Sequence, residues 1–213
     1  MDTFIFDLDG TLLDTLDDLM AAVNYALTVH HMPQRSREEV RCFVGNGVQK
    51  LVERAVLEGT PHDTTMDVLD TFRQYYLQHA IDRTRPYDGI PEVLNVLKQR
   101  GKHVAVVSNK FYRATQELCL HFFPNTVDVA IGEHEAEGIR KKPAPDTVIE
   151  ALRQLGVGRE RAVYIGDSDV DVQTARNSKM ACVSVLWGFR DRDFLLAHGA
   201  TRFVERPEEL LEL

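Results

Sequence analysis

The chain begins with MDTFIFDLDGTLLDT, residues 1–15, which holds the first predicted strand and the first candidate functional residues. Residues 3–8, TFIFDL, form a short apolar run rich in β-favouring side chains, which predicts a strand. The segment DLDGT, residues 7–11, stands at the end of that strand. Ligands of an open parallel sheet bind beyond the carboxyl ends of the strands, so Asp7 and Asp9 are the first candidates for a functional site.

The residues that follow change from strand-like to helical spacing. From about residue 14 to residue 83 the apolar positions recur at helical intervals and predict helices only. Within this block, residues 36–39, SREE, have the form of a capping box, which marks the start of a helix. From residue 86 onward, buried-type runs such as VAVV at residues 104–107 alternate with helical segments. This alternation predicts a parallel sheet covered by helices on both faces.

The first strand is therefore separated from the remaining strands by an all-helical block. We predict an α/β fold with a Rossmann-like parallel sheet core, residues 1–13 and 84–213, and an inserted α-helical cap domain, residues 14–83. A chain of 213 residues fits one large domain or one domain with an insertion. Its content of 44% hydrophobic and 27% charged residues is typical of a globular protein.

The charge and the composition argue against several function classes. A formal net charge of −8 argues against a general nucleic-acid binder, which would carry a basic patch. The first residues lack the features of a secretory signal, and no apolar run approaches the ~18 residues of a membrane helix. The three cysteines form no CxxC pair, so neither a disulfide framework nor a zinc site is predicted. We expect a cytoplasmic protein, and the net charge does not argue against a small anionic substrate.

Polar residues also stand at the ends of the later predicted strands. They are Ser108, Asn109 and Lys110 after residues 104–107, Gly166, Asp167, Ser168, Asp169 and Asp171 after residues 162–165, and Lys141 and Lys142 before a predicted helix. Because the carboxyl ends of parallel strands meet at one edge of the sheet, we expect carboxylates from two strands, a hydroxyl and a lysine to converge there.

The chemistry of this set suits a phosphate group. Clustered carboxylates repel one another unless a cation neutralises them, and hard oxygen ligands in small number suit Mg²⁺, which binds alongside phosphates. A carboxylate such as Asp7 can accept a phosphoryl group covalently, and Asp9, on the same face of the strand, can transfer a proton. A lysine and a hydroxyl can hold phosphate oxygens. Gly10 and Gly166 let the backbone approach an anion, so Gly10 is a candidate phosphate-binding residue.

Four segments resemble the motifs of the haloacid dehalogenase superfamily, in the expected order and strand context. DLDGT at residues 7–11 resembles the first motif, and Ser108 after an apolar strand resembles the second. Lys142 in KPAP, residues 142–145, resembles the third, and GDSDVD, residues 166–171, resembles the fourth. The second aspartate of DLDGT distinguishes the chain from the dehalogenases of the superfamily, which lack it.

The resemblance implies a role for each of these residues. Asp7 would be the nucleophile and a ligand of Mg²⁺. Asp9 would be the general acid and base, and it would ligate the ion through its backbone carbonyl. Asp167 would be the third protein ligand. Asp171 would support the ligands without binding the ion itself. The phosphate would be bound by Ser108, Asn109 and Lys142, of which the first and the last are counted as catalytic.

One segment of the helical block resembles a particular subgroup of the superfamily. Residues 43–47, FVGNG, are similar to a segment of the phosphoglycolate phosphatase subgroup. Asn46, Gly47 and Lys50 are therefore predicted to contact the substrate from the cap, since Lys50 lies one helical turn past Asn46. An ordinary turn between helices and a solvated surface lysine are the alternative interpretations of these residues.

The resemblance as a whole implies a Mg²⁺-dependent phosphatase. It would hydrolyse a small phosphorylated metabolite through an aspartyl-phosphate intermediate, with 2-phosphoglycolate as the first candidate. Two alternatives use the same core: a phosphomutase of the β-phosphoglucomutase type, and a pyrophosphatase or nucleotidase. A non-catalytic binding protein is a further alternative, because a fold alone does not prove activity. The presence of every catalytic side chain argues against it.

Overall fold

The computed structural model describes residues 1–133 and 135–213. The chain divides into two compact units, one formed by Met1–Asp14 with Pro86–Leu213 and the other by Thr15–Arg85. We refer to them as the core unit and the helical unit. The sequence prediction placed the corresponding boundaries at residues 13–14 and 83–84.

The described residues form the following regular elements. The strands are β1 (Thr3–Phe6), β2 (Leu13–Asp14), β3 (Arg85–Pro86), β4 (His103–Phe111), β5 (Val129–Glu133), β6 (Ala162–Gly166), β7 (Ala181–Val185) and β8 (Phe203–Val204). The α-helices are α1 (Leu16–Val29), α2 (Arg37–Phe43), α3 (Val48–Ala55), α4 (His62–His79), α5 (Ile90–Gln99), α6 (Tyr112–Phe122), α7 (Asp146–Leu155), α8 (Asp169–Asn177) and α9 (Arg192–Ala197). Among these helices none combines the length and the apolar character that crossing a membrane requires.

Within the described part of the chain, the core unit holds a six-stranded sheet in the order β5-β4-β1-β6-β7-β8, and every neighbouring pair is parallel. β1 lies in the interior, where Phe4 is level with Val104 of β4 and Val163 of β6. The parallel α/β fold predicted from the sequence is confirmed. Because the strands run in one direction, the carboxyl ends of β1, β4 and β6 meet at one edge of the sheet.

The central strands are buried, which explains why their sequences are apolar at successive positions. Every residue of β1 is buried. Ile5 of β1 belongs to one apolar cluster with Val107 of β4 and Tyr164 of β6, and α7 contributes Val148 and Ala151 to it. A parallel sheet covered on its faces needs such continuous apolar runs. The polar residues at the strand ends are therefore held by a closely packed layer.

The helical unit contains α1 to α4. The capping box predicted from the sequence is present, because Ser36 Oγ accepts from the Glu39 N–H and the Glu39 carboxylate accepts from the Ser36 N–H. The buried carboxylate of Asp18 in α1 accepts hydrogen bonds from the backbone N–H groups of Arg83 and Thr84 and from the Thr84 hydroxyl. Since a buried carboxylate is costly unless it is hydrogen-bonded, these contacts fix the end of the unit to its first helix.

Strand β4 and helix α9 of the core unit differ from the sequence prediction, and β1 ends at Phe6 instead of Leu8. Strand β4 runs to Phe111, so residues 108–110 lie within the strand and not after it. The pairing of β4 with β5 shifts register between Val107 and Phe111. Helix α9, capped by Asp191, was not predicted, because six residues are too few to show a helical period.

Candidate active site

Asp7 lies at the carboxyl end of β1. Its backbone N–H donates to the Ile165 carbonyl of β6 at 2.9 Å, which continues the strand pairing to this residue. Its buried side chain accepts two hydrogen bonds on Oδ1, from the Leu8 N–H at 2.7 Å and from Lys142 Nζ at 2.9 Å. The sheet and the lysine together fix the position and the orientation of this carboxylate.

Lys142 is buried and contacts three oxygen atoms: Asp7 Oδ1 at 2.9 Å, Asp171 Oδ1 at 2.8 Å and Tyr164 Oη at 3.1 Å. An ammonium has three N–H donors, which matches this number of acceptors. Burial by itself lowers the pKa of Lys142, but the carboxylates of Asp171 and Asp7 outweigh burial and raise the pKa above its ordinary value. Lys142 is therefore a cation at neutral pH.

Three buried carboxylates form a cluster next to this lysine. Asp7, Asp167 and Asp171 each offer one oxygen, and these atoms lie within 4.8 Å of one another. Burial and the neighbouring Asp171 raise the pKa of Asp7, against the opposing effect of Lys142. Burial and Asp171 also raise the pKa of Asp167, to about 7. Carboxylates this close repel one another, and a divalent cation among them would stabilise their ionised forms.

Asp171 uses both of its carboxylate oxygens within the protein. Oδ1 accepts from Lys142 Nζ at 2.8 Å and from Tyr164 Oη at 2.9 Å. Oδ2 accepts from the Ser168 N–H at 3.1 Å and from the Ser168 hydroxyl at 2.6 Å, as part of the capping box that starts α8. With four hydrogen bonds on two oxygens, this carboxylate anchors Lys142 and the start of the helix.

Asp167, which directly follows β6, is held by donors from two other loops. The Thr11 hydroxyl donates to Oδ1 at 3.0 Å, and the Phe189 N–H donates to Oδ2 at 2.7 Å. Two glycines make room for this side chain. A Cβ atom on Gly10 would lie 2.4 Å from Asp167 Oδ2, and one on Gly188 would lie 2.3 Å from Asp167 Cβ. A larger residue at either position would displace the carboxylate.

The two glycines singled out in the sequence therefore adjoin anions of the protein itself. Gly10 packs against Asp167, and a Cβ atom on Gly166 would lie 2.3 Å from Asp171 Cγ. Gly10 also has a φ of 86°, in the left-handed region that glycine adopts at little cost. Contact of the Gly10 backbone with a phosphate stays a prediction.

Asp9 faces a second buried lysine. Lys110 Nζ lies 3.0 Å from Asp9 Oδ1, and the Lys110 side chain is 1% exposed. Ser108, two residues earlier in β4, accepts a hydrogen bond on Oγ from the Lys110 N–H at 3.2 Å. Asn109, between them, donates through Nδ2 to the Lys142 carbonyl at 3.0 Å. The end of β4 thus contacts Asp9 directly and the Asp7 partner Lys142 through its backbone carbonyl.

The residues predicted in the cap lie in the helical unit, where two of them bind side chains of α3. Asn46 Oδ1 accepts from Arg54 Nη2 at 2.8 Å, and Lys50 Nζ pairs with the Glu53 carboxylate. Gly47 precedes α3 with a φ of 88°. Contact of Asn46, Gly47 and Lys50 with a substrate stays a prediction.

Residues of all four sequence motifs therefore lie close together in the core unit. Residues 4–185 match the family model of haloacid dehalogenase-like hydrolases. The chain belongs to the haloacid dehalogenase-like hydrolase family. This confirms the resemblance predicted from the motifs, and the match spans the sequence from β1 to the end of β7.

Relatives in the haloacid dehalogenase-like family include named phosphatases. A phosphoglycolate phosphatase of Aquifex aeolicus is 29% identical over 100% of this chain and 96% of its own length. An N-acetylmuramic acid 6-phosphate phosphatase of Pseudomonas aeruginosa is 30% identical over 98% of this chain and 92% of its own length. The crystal structure of a protein provisionally described as a phosphoglycolate phosphatase, from Lactobacillus delbrueckii subsp. bulgaricus, is 39% identical, with a TM-score of 0.93 over 99% of this chain and 97% of that chain. The chain is an enzyme of the phosphatase type within this family, as the sequence predicted.

Sequence reasoning missed three residues of this haloacid dehalogenase-like site. The role of Thr11 as a donor to Asp167 was not foreseen, although it belongs to the DLDGT segment. Tyr164 carries a hydroxyl in the middle of a buried strand, and a buried hydroxyl needs a partner, which is a signal that could have identified it. Gly188 follows β7 with no local signal. Of the two adjacent lysines, Lys142 contacts Asp7, whereas Lys141 Nζ lies 3.4 Å from Glu135.

Proposed function

We propose that this enzyme hydrolyses a small phosphomonoester, with 2-phosphoglycolate as the first candidate, through an aspartyl-phosphate on Asp7. The observation that carries the proposal is the 2.9 Å contact between the buried Asp7 carboxylate and Lys142, beside two further carboxylates. A positioned carboxylate can act as a covalent phosphoryl acceptor, and a fixed cation beside it can stabilise the charge of the transferred group.

The donor set of the core unit fits Mg²⁺. Hard carboxylate oxygens in small number are the ligands that this ion takes beside a phosphate. Asp7 and Asp167 would hold it through their side chains, and Asp9 through its backbone carbonyl, while Asp171 already holds Lys142 and the start of α8. The bound ion would neutralise charge on the carboxylates and on the phosphoryl oxygens.

The first half of the reaction transfers the phosphoryl group to the protein. An oxygen of Asp7 attacks phosphorus in line with the ester bond, the bond from phosphorus to the leaving oxygen breaks, and Asp9 gives its proton to that oxygen. The ammonium of Lys142, the hydroxyl of Ser108 and the amide of Asn109 bind the phosphoryl oxygens during transfer.

The second half returns the protein to its starting state. A water molecule attacks phosphorus, and Asp9, now ionised, takes the proton of that water. The bond between phosphorus and the Asp7 oxygen breaks, which restores the Asp7 carboxylate and releases inorganic phosphate. Asp9 thus serves as acid in one half and as base in the other.

The substrate class is supported by the names of the relatives. Both 2-phosphoglycolate and N-acetylmuramic acid 6-phosphate are phosphomonoesters that also carry a carboxylate. We infer that a compact ester with a carboxylate is preferred over nucleotides. Asn46, Gly47 and Lys50 are the candidates for recognising the part of the substrate beyond the phosphate.

The test is turnover of a substrate panel with Mg²⁺ and with excess EDTA. The panel holds 2-phosphoglycolate, N-acetylmuramic acid 6-phosphate, a hexose phosphate, a nucleoside monophosphate and pyrophosphate, and both inorganic phosphate and isomeric products are measured. We expect Mg²⁺-dependent release of phosphate, fastest from the carboxylate-bearing esters. Formation of a sugar phosphate isomer without phosphate release would favour a mutase, and full turnover in EDTA would contradict the metal requirement.

A further inference from the structure

Lys110 is a buried cation that the proposed reaction does not use. It lies near the end of β4, its side chain is 1% exposed, and its Nζ is 3.0 Å from Asp9 Oδ1. The Asp9 side chain is 14% exposed, so the pair lies at the edge of the buried interior. Lysine is almost never fully buried unless it is paired, and the Asp9 carboxylate is one such partner of Lys110.

Stability alone does not explain a lysine at this place. Removing an ammonium from water costs several kcal/mol, and an apolar side chain of similar volume in place of a buried ion pair is often neutral or stabilising. The positive charge that Lys110 places beside Asp9 therefore points to a role in proton transfer by Asp9. This step rests on the proposed function, in which Asp9 transfers the proton.

The backbone around Lys110 is held closely. Its N–H donates to Ser108 Oγ at 3.2 Å, in the segment where the pairing of β4 with β5 shifts register. In β5, a Cβ atom on Gly132 would lie 2.7 Å from the Lys110 carbonyl oxygen, so only glycine permits this approach. Residues of β4 and β5 thus fix the backbone position from which the Lys110 side chain extends.

We propose that Lys110 is a positioning residue. Its ammonium holds the Asp9 side chain by Oδ1 and so directs the other Asp9 oxygen toward the leaving oxygen and the water with which Asp9 exchanges its proton. A carboxylate has two oxygens, so one can bind the ammonium while the other serves the reaction. Lys110 acts through Asp9 and does not itself touch the substrate. Its loss should matter most where the reaction depends most on protonation of the leaving oxygen.

The experiment compares Lys110→Met with wild type on p-nitrophenyl phosphate and on an alkyl phosphate, each with Mg²⁺. Nitrophenolate leaves without a proton, whereas an alkoxide needs one. We expect kcat/KM to fall about 100-fold on the alkyl ester, in the range typical of a positioned acid, and by less than about threefold on the aryl ester. Lys110→Arg, which keeps the charge, should recover part of the loss on the alkyl ester.

A double-mutant cycle separates action through Asp9 from an independent role. In an Asp9→Asn background, Lys110→Met should cause no further loss on either ester, because residues that act as one unit are not additive. Lys98→Met is the matched control, since it also removes a lysine paired with an aspartate of the core unit, Asp128, and should leave both esters unaffected. If Lys110→Met does not fold, Lys110→Gln replaces it and the same difference between esters is expected.

The outcomes also separate this inference from the proposed function. Equal losses of Lys110→Met on both esters, or a higher KM with unchanged kcat on both, would overturn the positioning role and leave the phosphatase intact. Full additivity with Asp9→Asn would also overturn it. A wild-type protein that releases no phosphate from any ester would instead contradict the proposed function.

Discussion

Asp7 and Asp9 stand two residues apart at the end of β1 and face different lysines, Lys142 and Lys110. The place of these aspartates directly after the first strand could be predicted from the sequence, because the apolar run TFIF precedes them. Their lysine partners could not be deduced from spacing, since each lysine lies in a distant part of the chain. The motif resemblance supplied Lys142, whereas the contact of Lys110 became visible only in the structure.

Replacement of Asp7 by Asn tests the nucleophile at this scale. We expect Asp7→Asn to lose at least about 100-fold in turnover, because an amide is neither a nucleophile nor an anionic ligand. The fold should persist, since the change removes one of three mutually repelling buried carboxylates. Turnover and thermal unfolding would be measured beside Asp193→Asn, an exposed aspartate in α9 that serves as the control. A folded Asp7→Asn protein with near-normal turnover would refute covalent catalysis by Asp7.

At the scale of elements, the strand ends position the site, and the loops after them complete it. Apolar runs predicted β1, β6 and β7 because these strands are largely buried. The extension of β4 through residues 108–110 could not be predicted, because polar residues normally end a buried strand, whereas here Asn109 donates to the Lys142 carbonyl and Lys110 contacts Asp9. Loop contacts such as Phe189 N–H to Asp167 depend on the tertiary fold.

The loop after β7 gives a prediction at the scale of elements. Gly188→Ala should push Asp167 out of place, because the new Cβ would lie 2.3 Å from Asp167 Cβ and 2.4 Å from the Gly10 carbonyl oxygen. We expect a loss of about 1–3 kcal/mol in the free energy of unfolding and a higher Mg²⁺ concentration for half-maximal turnover. The matched control is Gly158→Ala, whose close contact is the carboxylate of Glu160, at the far end of a flexible side chain. Equal behaviour of the two variants would show that the space beside Asp167 is not needed.

At the scale of the whole molecule, the site concentrates negative charge in a protein whose net charge is already −8. Asp7 and Asp167 lie buried beside Asp171, and burial with that neighbour raises the pKa of both. A cation is therefore expected to contribute to the stability of the core unit as well as to the reaction. Chemical unfolding can measure this, because Trp187, the only tryptophan, reports on the core unit.

The pH dependence of unfolding follows from the raised pKa values. The pKa of Asp167 is about 7 in the folded protein, against an ordinary value of 3.8 for an aspartate, so the folded state binds the proton more tightly than the unfolded state does. In EDTA the contribution of Asp167 to the free energy of unfolding is fully present below pH ~4. It is lost as the pH rises through about 7. Urea midpoints should therefore fall across this range, and Asp167→Asn should reduce the slope. Added Mg²⁺ should raise the midpoint at pH 7.5 more than at pH 5, and equal shifts at both would contradict this account.

The interior place of β1 in the sheet has a consequence for protein synthesis. Thr3 pairs with His103 of β4 on one side and with Ala162 of β6 on the other, so a ribosome must translate both partners after β1. At roughly 5–20 residues per second, the apolar strand waits on the order of ten seconds before its second neighbour exists. The helical unit, residues 15–85, is complete long before that time. During translation this protein must therefore keep a fully buried-type strand from aggregating while the helices that separate that strand from its partners in sequence are already made.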